Sequence, residues 1–417
     1  MINIPKGTKD VLPQDSHKWQ YIEAKAREIC RLYNLKEIRT PSFEHTELFL
    51  RGIGETSDIV GKEMYTFLDK GGRSITLKPE GTAPVARSYI ENALDSLSLP
   101  LKMYYFTPVF RYERPQAGRL RQHHQFGVEI YGDPTSYADG ETIEIAHSFL
   151  TSVGLRNFEL NINSIGCDDC RPKYIDALKS YLGGREENMC GVCRDRFVRN
   201  PLRILDCKED GCRFIVANAP LITDYLCDNC AAHFSDLQQN LKARNIEYKK
   251  NPWIVRGLDY YTGAVFEFVS NELGAQGTVC GGGRYDKLIK DIGGKDTPCI
   301  GFGLGLERLL MLVAAAGVEI TSPKLDYFVA VQSPTAKNFC LDLVRKLRGG
   351  GFAADTDNLS RSLKAQLRYA EKQNAEYVIV VGESEIQSGE VMIKRLSDGV
   401  EKQINIKDLI ISNMITR

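Results

Sequence analysis

No stretch of this 417-residue chain is long and apolar enough to cross a bilayer. The longest apolar run, Leu309 to Val318, directly follows Glu307-Arg308 and reads as a buried helix. The segment from Met1 to Asp10 lacks the apolar core of a secretory leader, so a cytoplasmic protein with no membrane partner is expected. Net charge is absent as well, because 54 Lys and Arg balance 54 Asp and Glu. That excludes a protein that coats nucleic acid nonspecifically, and any nucleic-acid partner must be met by local patches. There is no internal repeat, no low-complexity tract, and neither a Rossmann fingerprint nor a Walker loop. What remains, 43% apolar and 26% charged residues, is an ordinary soluble composition with room for two or three domains.

Cysteine, by contrast, is plentiful. Twelve are present, and a cytosolic chain is not expected to pair them as disulfides. Eight fall in one segment as Cys167/Cys170, Cys190/Cys193, Cys207/Cys212 and Cys227/Cys230, three CxxC pairs and one slightly longer pair. The spacing suits one or two tetrahedral thiolate sites for structural Zn2+. The alternative is a segment that merely tolerates free thiols.

Periodicity organises the rest. Trp19, Ile22, Ala26, Ile29 and Tyr33 recur at three and four residues and predict an amphipathic helix over 15–35, capped by Asp15 or Ser16. Strands are expected at Ser74–Lys78, Leu101–Arg111 and Gln122–Tyr131, the last two forming a long hairpin around a loop rich in Arg, Gly and Pro. A helix with Ile143, Ala146, Phe149 and Val153 ends at Gly154. Residues 165–245 read as an inserted, cysteine-rich segment with short helical pieces. Thr321-Ser322-Pro323-Lys324 is a linker, and from Leu325 onward strands and helices alternate as in a small α/β domain.

Several segments carry chemistry. Arg256-Gly257-Leu258-Asp259-Tyr260-Tyr261-Thr262-Gly263 gathers a permanent cation, a carboxylate and two phenols before a strand. In extended chain the two tyrosines would point to opposite faces, one packing and one meeting a ligand. The hairpin carries Arg111, Arg114, Arg119 and Arg121, a cluster suited to a triphosphate because arginine can grip phosphate with two bonds. Along its strands Arg111 shares a face with Glu113, and Gln125 with Glu129. Lys78-Pro79-Glu80-Gly81-Thr82 leaves a strand and offers an acid and a hydroxyl. Gly281-Gly282-Gly283-Arg284-Tyr285-Asp286 and Gly301-Phe302-Gly303-Leu304-Gly305-Leu306-Glu307-Arg308 present bare backbone against which a ligand can lie.

In this order, the segments resemble the three motifs of class II aminoacyl-tRNA synthetases: the helix–strand around Pro41, the Phe-Arg-x-Glu hairpin from Phe110, and Gly-x-Gly-x-Gly-x-Glu-Arg ending at Arg308. Within that class the Arg256–Gly263 and Gly281–Asp286 stretches are similar to the signatures of the histidyl-tRNA synthetases, and the resemblance spans essentially the whole chain. It implies an α+β fold around a mostly antiparallel sheet in a catalytic domain over 1–320, which carries the 165–245 insertion as a helical piece, and a C-terminal α/β anticodon-binding domain over 325–417. It also implies a homodimer formed through the first motif.

The implied reaction is ATP-dependent activation of L-histidine to histidyl-adenylate, with Mg2+ on the pyrophosphate, followed by transfer to the 3′ end of tRNA(His). By position, Arg111 would hold the α-phosphate and Arg308 the γ-phosphate end of ATP, with Glu113 and Arg121 also in the ATP site. Glu80, Gly81, Thr82 and Gln125 would surround the α-amino side of histidine. Glu129 and Tyr261 would address the imidazole, with Tyr260 lining the pocket or packing behind it. Arg256 would bridge the substrate carboxylate and the α-phosphate, making it and Arg111 the catalytic residues. His123 stands where an aromatic ring would stack on adenine. In the C-terminal domain Arg361, Lys364, Arg368 and Lys372 form a basic stripe on one predicted helix, suited to tRNA phosphates. The alternative function is a catalytically silent, histidine-binding regulatory paralogue.

Overall fold

The computed structural model describes residues 2–54, 57, 59–116, 118–270, 272, 277–406 and 408. Ala117 of the arginine-rich loop and residues 409–417 at the end of the expected C-terminal domain lie outside them. The chain divides into two compact units, Met1–Ile320 and Thr321–Arg417.

The first unit is built on an eight-stranded sheet, antiparallel except at its two edges, where Lys36–Glu37 and Lys249–Lys250 pair in parallel. Its centre is the hairpin Leu101–Phe110 and Gln122–Tyr131, in register from Leu101 opposite Tyr131 to Phe110 opposite Gln122. Beside it run Cys299–Gly305, Thr278–Arg284, Thr262–Val269 and Glu159–Ser164 in turn. Strand alternation sorts the side chains. Phe126, Val128 and Ile130 join Phe266, Phe268 and Phe302 in an apolar core, covered by helices Pro13–Leu32, Ser136–Ser152 and Leu306–Ala315. On the opposite face Met103, Tyr105, Tyr131, Val265 and Tyr285 pack with Val85, Ala86 and Tyr89 of helix Thr82–Glu91. This tyrosine-rich face, with Gln125 and Glu129 on it, holds the site.

The first helix begins earlier than its polar residues suggest. It starts at Pro13 after Leu12, with no side-chain cap. Proline fixes φ near the helical value and lacks the N–H that a first turn leaves unpaired, so it can open the helix alone. Asp15, freed from capping, pairs with Lys18 at 2.7 Å.

Within the 165–245 stretch, helices Arg171–Leu182, Gly191–Arg199 and Asp210–Val216 close a small core of their own around Tyr174, Leu178, Leu182, Ile204 and Val216. Helix Asp228–Ala243 instead places Phe234, Leu237 and Leu241 in the main core. The second unit is a five-stranded sheet, with Ala354–Thr356, Leu325–Val331 and Ala375–Val381 parallel and Glu390–Arg395 and Glu401–Asn405 added antiparallel.

Candidate active site

Glu129 projects from the middle of the sheet and is fully buried. Tyr105 donates its hydroxyl to Oε1 at 3.1 Å, and Tyr285 donates to Oε2. Burial pushes the carboxyl up to about 8 despite these donors, so it carries its proton at neutral pH. Two residues along the same face, the Gln125 side-chain oxygen accepts the Gly81 N–H at 3.0 Å. The alternating glycines of the neighbouring strand make this possible. A Cβ on Gly301 would stand 1.9 Å from Glu129 Oε2, and one on Gly303 2.0 Å from Gln125 Nε2. The glycine pattern that suggests a bare floor for a ligand also provides space for the two polar side chains that rise beside it.

Glu80 lies at the base of helix Thr82–Glu91 and accepts the N–H groups of Thr82 at 2.6 Å and Ala83 at 2.8 Å. Burial raises its pKa, with those backbone donors pulling the other way. Thr82 is buried beside it. Tyr260 and Tyr261 do not diverge onto opposite faces. They sit in a turn ahead of strand Thr262–Val269, both are buried, and their ring centroids are 4.8 Å apart. The opposite-face rule needs extended backbone, which begins only at Thr262. Tyr285 completes the cluster, 5.5 Å from Tyr260 and 6.3 Å from Tyr261.

Arg256 precedes these tyrosines, with its guanidinium paired to Glu267 and 5.4 Å from the Tyr261 ring centroid. Burial opposes the charged form, but Tyr261 and Glu267 outweigh it and the pKa is raised. Arg256 Nε is buried without a hydrogen-bond partner. A Cβ on Gly281 would lie 2.4 Å from Nη1, so the triple glycine clears the floor beneath this cation.

A cavity of about 190 Å3 is lined by Arg111, Glu113, Arg119, His123, Glu307 and Arg308 among others. Arg111 Nε donates to the Pro79 carbonyl at 2.8 Å, and Arg308 Nη1 to the Thr278 carbonyl at 2.6 Å. Glu113 pairs with Arg119 at 3.3 Å. His123 is pushed down to about 3, by burial first and by Arg111 second, so its ring is neutral. Arg121 is not among the lining residues. It stacks over Tyr112 at 4.0 Å and donates Nε to the Glu113 carbonyl. Glu307 accepts the His124 backbone N–H at 3.0 Å and pairs with Nδ1 at 2.9 Å, fastening the third glycine-rich segment to the hairpin.

The eight cysteines gather into two quartets, Cys167/Cys170/Cys227/Cys230 and Cys190/Cys193/Cys207/Cys212. Within each, the sulfur atoms all lie within 4.8 Å of one another. The pairs therefore nest, first with last and second with third, an arrangement that sequence spacing leaves open.

A model of the family "Histidyl-tRNA synthetase" matches residues 7–167 and 214–309, and an "Anticodon binding domain" model matches 326–411. The "Histidine--tRNA ligase" of Caldanaerobacter subterraneus subsp. tengcongensis is 54% identical over 406 residues, covering 97% of each chain. The chain belongs to the histidyl-tRNA synthetase family. The apo histidyl-tRNA synthetase of S. aureus superposes with a TM-score of 0.85 at 38% identity, covering 99% of this chain and all of that one. An ATP phosphoribosyltransferase regulatory subunit/histidyl-tRNA synthetase from Bacillus halodurans C gives 0.65 at 24% identity over 91% of this chain and 98% of that one, which shows the fold alone. The α+β fold of this synthetase chain, with its C-terminal sheet domain, accords with these relatives. The family model leaves 168–213 unmatched, and that stretch contains the whole second quartet.

In the anticodon-binding domain the basic stripe is shorter than its spacing implies. Lys364, Arg368 and Lys372 are exposed on helix Leu363–Lys372. Arg361 precedes that helix, pairs with Asp357 at 3.1 Å and lies over Tyr369. A neighbouring acid and ring hold the first cation off the line.

Proposed function

We infer that this protein is a histidine–tRNA ligase, which activates L-histidine with ATP and transfers the histidyl group to the 3′ end of tRNA(His). The observation that carries the reading is the buried carboxyl of Glu129 held between the hydroxyls of Tyr105 and Tyr285, in a chain alike over its full length to histidine–tRNA ligases. The silent regulatory alternative is set aside, because the ligase relative matches both units of the chain.

Adenylate formation brings an anionic carboxylate against an anionic phosphate, so the barrier is largely electrostatic. Arg256, paired with Glu267 over the Gly281 floor, would sit between the two, and Arg111 would hold the α-phosphate. Arg308 takes the far end of the triphosphate, and neutral His123 offers its ring to adenine. Glu80, Thr82 and Gln125 line the chamber wall where the α-amino group binds. Glu129, carrying its proton, donates to one imidazole nitrogen. Tyr261 faces the other side of the ring, and Tyr260 packs with it as part of the wall. A pocket that hydrogen-bonds the imidazole leaves its own polar groups unpaired with any other amino acid, which can reject them by roughly 10⁴-fold.

Mg2+ fits the donor set of the cavity lined by Arg111 and Arg308, since this ion is commonly held by one or two carboxylates together with substrate phosphates. Glu307 is held by both the backbone and the ring of His124, so Glu113, released from Arg119, would be the carboxylate for it. Bound there, the ion would neutralise phosphate charge. Structural Zn2+ on the cysteine quartets, a homodimer formed around Pro41, and cytoplasmic residence complete the reading. Among the described residues no helix is long and apolar enough to cross a membrane.

Attachment of labelled histidine to tRNA(His) tests the function. ATP-dependent charging with histidine and with no other amino acid is expected, and charging with a different amino acid would overturn the assignment.

A further inference from the structure

The two quartets have the composition and dimensions of metal sites. In a tetrahedral thiolate site with Zn–S of about 2.3 Å, the sulfurs stand ~3.8 Å apart. Here Cys167 Sγ lies 3.6 Å from Cys170 Sγ and 3.9 Å from Cys227 Sγ, and Cys190 Sγ lies 3.9 Å from Cys207 Sγ. Those separations are nearly twice a disulfide bond of about 2.05 Å. Backbone N–H groups point at the sulfurs, from Cys227 to Cys170 Sγ at 3.1 Å and from Cys190 to Cys212 Sγ at 3.3 Å, as suits thiolates that share a cation's charge. An all-sulfur set selects a soft ion over Mg2+ or Ca2+.

Each quartet is tied to the turn that carries the two pocket tyrosines. Beside the first, the Ile165 N–H donates to the Gly263 carbonyl at 2.8 Å and the Gly263 N–H to the Gly166 carbonyl at 3.0 Å. Arg171, next to Cys170, donates its guanidinium to the Tyr261 carbonyl. The second quartet brackets helix Gly191–Arg199 and the short turn Pro201–Ile204, and between those two the Asn200 amide donates to Asp259 Oδ1 at 3.0 Å. Residues 259–263 are therefore contacted from two directions by segments that each adjoin one quartet.

We propose that the quartets are two separate structural zinc sites, and that together they position the 259–263 turn for histidine. Arg171 and Asn200 are the positioning residues that carry this restraint. The positioning half of the proposal rests on the histidine–tRNA ligase reading; the zinc half does not.

Metal analysis of the full-length protein, purified without added zinc, tests the first half, because closed thiolate sites retain their ion. Two zinc ions per chain are expected. One ion or none, or iron with its visible thiolate absorption, overturns it. Cys227→Ser and Cys207→Ser should each lose one ion and keep the other. For the second half, Arg171→Ala and Asn200→Ala should keep both ions and the wild-type melting temperature while raising the KM for histidine about tenfold, with the KM for ATP unchanged. An unchanged histidine KM with both ions bound overturns the positioning role. Absence of histidine-dependent turnover in the wild type would overturn the ligase reading and leave the metal count standing.

Discussion

In the sheet, Glu129 is held by the hydroxyls of Tyr105 and Tyr285, and those rings are fixed in turn among Met103, Tyr131 and Val265. In the insertion, the thiols of Cys193 and Cys212 share a small core whose described buried members belong to short helical pieces and turns and not to strands. The first region places polar groups by strand register and by glycines that clear the space beside them. The second has too little apolar material for that, and small cores of this kind commonly need a covalent or metal staple. The contrast separates what breaks each region: an added methyl group should disable the pocket, whereas removal of an ion should loosen the insertion.

The sharpest way to probe the pocket half of this contrast is Arg256→Ala. Loss of one preorganised donor at the developing charge costs about 100- to 1,000-fold in rate. Single-turnover adenylate formation should fall by that factor while sedimentation shows unchanged assembly, and near wild-type rates would remove Arg256 from the mechanism.

Gly301→Ala comes next. Its Cβ would stand 1.9 Å from Glu129 Oε2, and overpacking of a rigid site costs roughly 1–3 kcal/mol. Thermal melting should report that loss, with weakened histidine binding by calorimetry. By comparison, Gly184→Ala in the insertion meets nothing within 4 Å and tests whether space alone explains the difference, although its positive φ adds some strain.

A pH series gives a smaller effect. Burial raises Glu129 from 4.5 to about 8, so the folded protein holds its proton more tightly than the unfolded chain. Its contribution to stability is full below about 4.5, declines as pH rises, and is lost above about 8. The histidine KM should climb as pH passes about 8, where the carboxyl stops donating. Glu129→Gln, permanently neutral, should abolish that limb. A flat KM between pH 7 and 9 in the wild type would mean that the proton is not used.

The smallest change expected is in the anticodon-binding domain. Lys364→Ala and Arg368→Ala should each raise the KM for tRNA severalfold and lower the salt-dependence slope by about one, leaving adenylate formation untouched. Equal effects on both half-reactions would place these residues elsewhere in the account.

Much of the framework was legible from pattern alone. Strand Gln122–Tyr131 has the expected bounds, because its Phe126, Val128 and Ile130 alternate against Gln125 and Glu129. The pairing of eight cysteines into two nested quartets was not legible, since spacing fixes neighbours but not partners. Nor were the groups that hold the site. Tyr105 reaches Glu129 from the other strand of the hairpin and Tyr285 from just past strand Thr278–Arg284, and Glu267 meets Arg256 across eleven residues of chain. Such contacts depend on register between strands, which no local pattern displays. Tyr260 and Tyr261 were misread because a turn, not a strand, carries them. The basic stripe lost Arg361 for a similar reason, as Asp357 and Tyr369 are brought to it only by the fold.

The most direct test of the central claim is histidine-dependent exchange of labelled pyrophosphate into ATP by the purified full-length protein with Mg2+. Rapid exchange with L-histidine and none with the other amino acids is expected. Folded protein with no exchange, or exchange independent of histidine, would contradict it.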